Sequence, residues 1–374
     1  MRHILILSYT DARRDPRVLR QIKALRDRYA LTVAGLGVPE LDGVRFVPIE
    51  RGKKKSLGEA YRALCLLLGV NGPARRRFFL RKHHSEDARY DLVICNDAEP
   101  LPLAFSLAGS APVLFDAHEY YPLEFESSLK WRRFMQRHLT ALCRQFIPRC
   151  AAMMTVSQGI AERYQAEFGA RPVVIRSAPD YHDAVPSPIA EGRVRLVHHG
   201  AANRDRGLEQ MLDAVRLLDG RFSLDLYLVG DPADVAQLKG RAADAPRIVF
   251  QQPVPMTSLA AMLNRYDMGL CFYPVTTFNV AHCLPNKFFE FIQGRIGLAV
   301  GSSPEMSAIV REHGLGIVVE DFTPQCIADA LNSLTAEDVS RFKRNAHAAA
   351  RIYNSENEME KLRGIVKNLL QGGA

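Results

Sequence analysis

At 374 residues the chain is long enough for two domains with separate cores. Its 47% hydrophobic and 24% charged residues exclude disordered, collagen-like and disulfide-scaffold classes. The net charge of +8 is lopsided: residues 1–190 hold 29 Lys+Arg against 20 Asp+Glu, and the remainder holds 20 against 21.

Residues 3–8 form a short apolar run that predicts a strand. Residues 15–28 follow as a helix, with Val18, Leu19, Ile22 and Leu25 at offsets of three and four. Further strands are expected at 31–34, 91–95, 113–116, 152–156 and 173–175, mostly separated by helical stretches, with a long one at 130–150. Strand–helix alternation of this kind predicts a parallel sheet covered by helices. Residues 177–193 then hold Pro179, Pro186 and Pro188 with little apolar periodicity, as a domain linker does. The alternation restarts with strands at 194–198, 223–229, 248–251, 268–272, 297–300 and 316–319. Helices begin near Gly207, Pro232, Thr257, Asn286, Pro304 and Pro324. Residues 336–370 read as helical throughout and suit a segment packing back on the first domain.

The expected architecture is therefore α/β, with two Rossmann-like, doubly wound domains facing a central cleft. The first covers 1–180, the second 181–355, and 356–374 form the returning helix. Ligands of such open sheets bind beyond the carboxyl ends of the strands.

The seven cysteines, at 65, 95, 143, 150, 271, 283 and 326, are scattered, with no Cys-x-x-Cys pair or metal-site spacing. They imply a reducing compartment. No secretory pattern precedes the first strand, and no apolar run approaches the about 20 residues of a membrane span. Both point to a cytoplasmic protein. The basic runs at 51–55, 75–77 and 81–82 are mixed with Leu66 to Leu68 and Phe78 to Leu80. They suit either a solvated surface or peripheral contact with an anionic inner membrane face. No nucleic-acid module is recognisable.

The segment 273–300 carries the most chemistry. A strand ends, a polar loop follows, and a helix opens near Asn286, whose first-turn amides and positive dipole end suit a pyrophosphate. Lys287 adds a point charge, and Glu290, one turn on, is placed to accept from ribose hydroxyls. The plain alternative is an ordinary helix start with a surface Glu. In the first domain, His118 follows the strand at 113–116, at the sheet edge expected to face the cleft, with a pKa suited to proton transfer and a hydrogen bond to a sugar hydroxyl. Its structural alternative is a His held by Asp116 or Glu119. Glu119 and Asp97 are further candidates there. Asp15 and Arg17 suit the acceptor side or a pairing with each other. His83-His84 and His198-His199 lack metal-ligand partners.

The order of motifs resembles family 4 glycosyltransferases of GT-B fold. It comprises Asp15-Pro16-Arg17-Val18-Leu19, Asp116-Ala117-His118-Glu119, the run from His199 to Gly207, Leu228-Val229-Gly230-Asp231, Leu284-Pro285-Asn286-Lys287 with Glu290, and Gly301-Ser302-Ser303-Pro304-Glu305. The resemblance implies transfer of a sugar from a nucleotide-diphosphate sugar to a glycan or lipid-linked acceptor, with retention and with neither cofactor nor essential metal. It assigns His118 and Glu119 to catalysis. It assigns Gly200, Arg204, Arg206, Asn279, His282, Asn286, Lys287 and Glu290 to the donor, and Asp15, Arg17 and Asp97 to the acceptor side. The chain departs from the family pattern twice. His282 stands where the family has the first Glu of Glu-x7-Glu, and Ala201 stands where it has an Arg. A nucleotide-sugar epimerase and a degenerate sugar-nucleotide-binding partner are the alternative readings.

Overall fold

The computed structural model describes residues 1–51, 78–80, 89–203 and 206–372. Lys53 to Lys55, Arg75 to Arg77, Arg81-Lys82, His83-His84, Cys65 and the donor candidate Arg204 lie outside the described residues. The chain divides into two compact units. One is Met1–Arg176 with Thr277–Asn279 and Glu358–Ala374, and the other is Ser177–Thr276 with Val280–Asn357.

The first unit runs β1 (His3–Leu7), α1 (Pro16–Leu25), β2 (Ala30–Gly35), β3 (Val44–Arg51), β4 (Phe78–Leu80), β5 (Leu92–Asn96), α2 (Leu101–Ala108), β6 (Val113–Ala117), α3 (Arg137–Phe146), β7 (Ala152–Thr155), α4 (Gln158–Phe168) and β8 (Val173–Val174). The second runs β9 (Val194–Ala201), α5 (Leu208–Leu217), β10 (Phe222–Val229), α6 (Pro232–Arg241), β11 (Ile248–Gln251), α7 (Met256–Leu263), β12 (Met268–Cys271), α8 (Asn286–Gln293), β13 (Gly297–Gly301), α9 (Pro304–His313), β14 (Gly316–Val319), α10 (Pro324–Asn332) and α11 (Ala336–Ala350). A last helix, α12 (Ser355–Gln371), contributes its residues from Glu358 onward to the first unit.

The first sheet has strand order β4-β3-β2-β1-β5-β6-β7-β8, parallel except where β4 pairs antiparallel with β3. Its central strands are buried on both faces, as their continuous apolar runs require. Alternate side chains serve opposite cores. Leu5, Leu7, Val93, Cys95 and Phe115 pack with Leu101, Leu139 and Leu142 of α2 and α3. Ile4, Ile6, Leu92, Ile94 and Leu114 pack with Val18 and Ile22 of α1 and with Met359, Leu362 and Val366 of α12.

The second sheet has order β11-β10-β9-β12-β13-β14 and is parallel at every junction. Leu196, Leu224, Leu226 and Leu270 face Met211, Val215, Ile327 and Leu331 of α5 and α10. Val197, Cys271, Leu298 and Val300 face α7, α8 and α11 through Leu263, Phe288, Phe291 and Ala346.

Two expectations from sequence change. Strand β3 was not anticipated, and Pro48 within it interrupts the alternation that marks strands. Residues 336–370 form two helices, not one. The break falls at 351–354, where Asn354 turns its amide onto the carbonyls of Ala350 and Arg351 and accepts from the Asn357 N–H. A side chain that competes for backbone groups in this way interrupts a helix.

Candidate functional site

In the first domain the loops after β1, β5 and β6 line a cavity of about 550 Å³ that includes Tyr9, Asp97, His118, Glu119, Glu124 and Trp131. Helix α1 supplies the residues that hold Asp116 next to His118 of this lining. Asp15 caps that helix, its carboxylate accepting from the Arg17 and Val18 N–H groups at 3.0 and 3.2 Å, and Pro16 suits the first turn. The Thr10 hydroxyl donates to the same carboxylate at 2.7 Å. Arg17 points inward. Its Nε donates to Asp116 Oδ2 at 2.6 Å, its Nη2 to Oδ1 at 2.5 Å, and its Nη1 to the Ile175 carbonyl at 2.9 Å. Asp15 and Arg17 thus serve a helix cap and a buried ion pair. They do not pair with each other on the surface.

Gln21 adds bonds to Asp116 at 2.7 Å and to Asn96 at 2.9 Å. Burial pushes the Asp116 carboxyl up, but Arg17 and His118 outweigh it and hold the group down at about 2.

His118 sits over this anchored carboxylate. Its Nε2 is 3.4 Å from Asp116 and 3.3 Å from the Asn96 side-chain oxygen, and its Nδ1 is 3.2 Å from Asp97. Burial alone would lower its pKa, but the carboxylates of Asp97 and Asp116 outweigh burial and raise it. The arrangement therefore favours an imidazolium with a fixed ring plane. Asp97 reaches it with a φ of 71°, a left-handed conformation unusual for a residue other than glycine, and also accepts from the Tyr121 hydroxyl. Glu124 is the least expected member. Burial, with the charges of Glu119, Asp97 and Glu99, pushes its carboxyl up to about 8.

In the second domain β9 ends in His198, His199 and Gly200 beside α8. His198 Nδ1 lies 2.8 Å from the Leu270 carbonyl, to which it must donate. Its Nε2 is then the acceptor for the Lys287 ammonium at 3.2 Å. Lys287 is buried, and burial pulls its pKa down to about 8. Gly200, at φ +124°, lets the lysine approach, since a Cβ there would lie 3.0 Å from Nζ.

The Arg206 guanidinium stacks 4.6 Å above the Tyr273 ring, and the Lys287 Nζ lies 5.6 Å from the same ring. No side chain caps α8, so its first-turn amides, opening with Asn286, join these two cations. Glu290 is buried with Oε2 3.4 Å from His199 Nε2. Burial and then Lys287 lower His199 to about 3, so it is neutral and its ring packs edge-on against Phe291. His282 Nδ1 lies 3.0 Å from Glu305 of α9.

The donor candidates thus fall into three places. Gly200, Arg206, Asn286, Lys287 and Glu290 gather at β9 and α8, and His282 stands with Glu305. Asn279 belongs to the first domain, where its side chain accepts from the Tyr120 N–H at 2.7 Å and donates to the Tyr120 carbonyl at 3.1 Å. Sequence reading gave no site role to Tyr273 and Glu305, although both lie in segments that it singled out, and it missed Tyr121 and Glu124. Tyr121 and Glu124 lie within six residues of His118, but nothing in their spacing marks them. Among the described residues no group of three or more His, Cys, Asp or Glu is arranged to hold a metal ion.

Residues 16–180 match the family model described as Glycosyltransferase Family 4. The match covers a little under half of the chain. Solved structures agree over the whole chain. Sucrose-phosphate synthase from Thermosynechococcus elongatus aligns at a TM-score of 0.75 and 12% identity, covering 100% of both chains. Anabaena Alr3699/HepE, in complex with UDP and glucose, aligns at 0.67 and 15%, covering 98% of this chain and 100% of its own. The E. coli trehalose-6-phosphate structure bound with UDP-2-fluoro glucose aligns at 0.65 and 11%, covering 99% of each. At these identities the likeness establishes the two-domain Rossmann-like fold. A comparison with the curated proteins returns no match. The family match and the fold together support glycosyltransferase activity that depends on a nucleotide sugar. No described helix of this glycosyltransferase is long and apolar enough to cross a membrane.

Proposed function

We propose that this glycosyltransferase binds a nucleoside-diphosphate sugar on its second domain and transfers the sugar, with retention, to a glycan or lipid-linked acceptor held by its first. The synthesis of a cell-surface polysaccharide or glycoconjugate is the setting that suits such an acceptor. The observation that carries the reading is the meeting of Lys287, Arg206 and the uncapped start of α8 beside Gly200. Growing negative charge on a departing diphosphate would meet two cations and a ring of N–H donors in a dry site. Glu290, one turn into α8, suits the ribose hydroxyls. Uridine is the first base to test, because two structural neighbours are described with UDP or a UDP-sugar.

In the first domain His118 suits the sugar or the acceptor hydroxyl as a positioned cation, and Asp97 fixes it. Among the described residues the cavity is lined by four carboxylates, Asp97, Glu99, Glu119 and Glu124, and by no Lys or Arg. Such a lining favours a neutral or amino-bearing sugar over a phosphorylated one at that position. Tyr9 and Trp131 offer apolar faces to a pyranose ring.

The test is a thermal-shift screen of nucleoside diphosphates and their sugars, since a ligand of the native state raises its stability. Glu290→Ala removes a charge-assisted hydrogen bond worth about 1.5–3 kcal/mol, so donor affinity or turnover is expected to fall about tenfold or more with Tm kept. Wild-type kinetics in that variant would remove Glu290 from the site. His282 and Ala201 favour a second reading, a partner protein that binds sugar nucleotides without turning them over. Stabilisation by nucleotide with no donor consumed by any glycan or lipid extract would select it. Consumption of donor without an acceptor, giving an isomeric sugar nucleotide, would select an epimerase.

A further inference from the structure

The first domain carries a surface that the transfer chemistry leaves unused. Between Glu126 and Glu162 the chain has six cations, Lys130, Arg132, Arg133, Arg137, Arg144 and Arg149, and no Asp or Glu. All six are exposed. Leu129–Trp131 begins a helical run, Arg132–Gln136 continues it as a π-helical turn, and α3 completes it. Leu139, Leu142, Cys143 and Phe146 bury one side of that run in the core. Leu129, Arg132, Arg133, Arg137 and Arg144 are exposed along the same run.

Two large apolar side chains stand out to solvent at the head of this stripe. Leu129 is 74% exposed and Phe125 is 56% exposed. Phe125 is propped edge-on against Trp131, with centroids 6.1 Å apart. Among the described residues Lys130, Arg132, Arg133 and Arg137 make no ion pair with an acidic side chain. A helical run with exposed aromatic and aliphatic side chains at one end, and with cations but no acidic residue along it, matches the interface of an anionic bilayer.

We infer that residues 125–144 form a docking surface for anionic lipid. Phe125 and Leu129 enter the headgroup boundary, and Lys130, Arg132, Arg133 and Arg137 meet the lipid phosphates. The surface is continuous with the acceptor cavity, because Phe125, Trp131 and Met135 also line it. An acceptor anchored in lipid would then place its sugar in the acidic cavity and leave its phosphate to the neighbouring cations. That last step rests on the acceptor reading above, whereas the docking itself does not.

The full chain is mixed with vesicles of phosphatidylglycerol and phosphatidylcholine, and with vesicles of phosphatidylcholine alone, and sedimented. Binding is expected only to the anionic vesicles and is expected to weaken with salt. The triple variant Lys130→Glu, Arg132→Glu, Arg133→Glu is expected to bind at least about tenfold more weakly. Leu129→Ser is expected to weaken binding at unchanged charge, which separates insertion from simple attraction. Both variants keep the wild-type thermal shift with nucleoside diphosphate, so a failure here is distinct from a failure of the donor site. Equal partition to both vesicle types, or wild-type binding by the triple variant, would overturn the inference. Tighter binding to a duplex oligonucleotide than to anionic vesicles would overturn it as well.

Discussion

Lys287 is a cation kept in a dry site with a neutral histidine as a hydrogen-bond partner, and that choice has a measurable consequence. Burial lowers its pKa to about 8, so the ammonium is carried below that pH and lost above it. Affinity for a nucleoside diphosphate is expected to hold steady from about pH 7, where the phosphate is fully ionised, and to fall as pH rises through 8. Lys287→Arg keeps the charge at every pH and is expected to flatten the profile in a titration of affinity against pH. A wild-type profile with no fall there would mean that Lys287 does not face the ligand.

Arg17 illustrates the other use of a buried charge. It is 5% exposed and anchors Asp116, which is fully buried. Arg17→Met would leave that buried carboxylate with only Gln21 and His118, at a cost of up to about 3–5 kcal/mol in denaturant unfolding. The same variant frees Asp116 to move under His118, so turnover is expected to fall at temperatures where the protein remains folded.

At the scale of elements, the donor side depends on how closely α8 lies on β12. Gly269 in β12 faces the Phe291 ring, and a Cβ there would stand 2.4 Å from its Cδ2. Gly269→Ala is expected to cost about 1–3 kcal/mol of stability, measured as a shift in the urea midpoint, because neither the strand nor the ring has room to yield. Since Phe291 also meets His199, the displacement would reach Glu290. The first domain orders its elements for the same purpose. The carboxyl ends of β1, β5 and β6 are neighbours in the sheet, which gathers Tyr9, Asp97 and His118 from three distant parts of the chain.

On the scale of the whole molecule, the chain returns. Met359, Leu362 and Val366 of α12 cover Ile4, Ile6 and Ile94, which would otherwise face water on a sheet built for burial on both sides. Leu362 is fully buried, and Leu362→Ala is expected to cost about 2–5 kcal/mol as transfer and cavity terms combine. Because it lies far in sequence from residues 1–176, its effect on the unfolding of the first domain would test the packing directly. An unchanged midpoint would show that α12 contributes little to that core.

The order of strands and helices was legible from sequence because each central strand is mostly apolar and the helices show their own period. The donor cluster was legible for a similar reason. Asn286, Lys287 and Glu290 lie within one stretch, and the start of a helix fixes their spacing. What the tertiary structure alone decided were pairings across long separations: Arg17 with Asp116, Asp97 with His118, Lys287 with His198, His282 with Glu305 and Asn279 with Tyr120. No periodic pattern records such pairs, because each depends on which strand ends become neighbours in the sheet. The break at 351–354 escaped for a local reason, since one Asn side chain overrode a helical pattern that its neighbours otherwise sustain. Composition and period determined the architecture, and the spacing at one helix start supplied the place proposed for the nucleotide. The charge state and partner of each site residue came from burial and from topology.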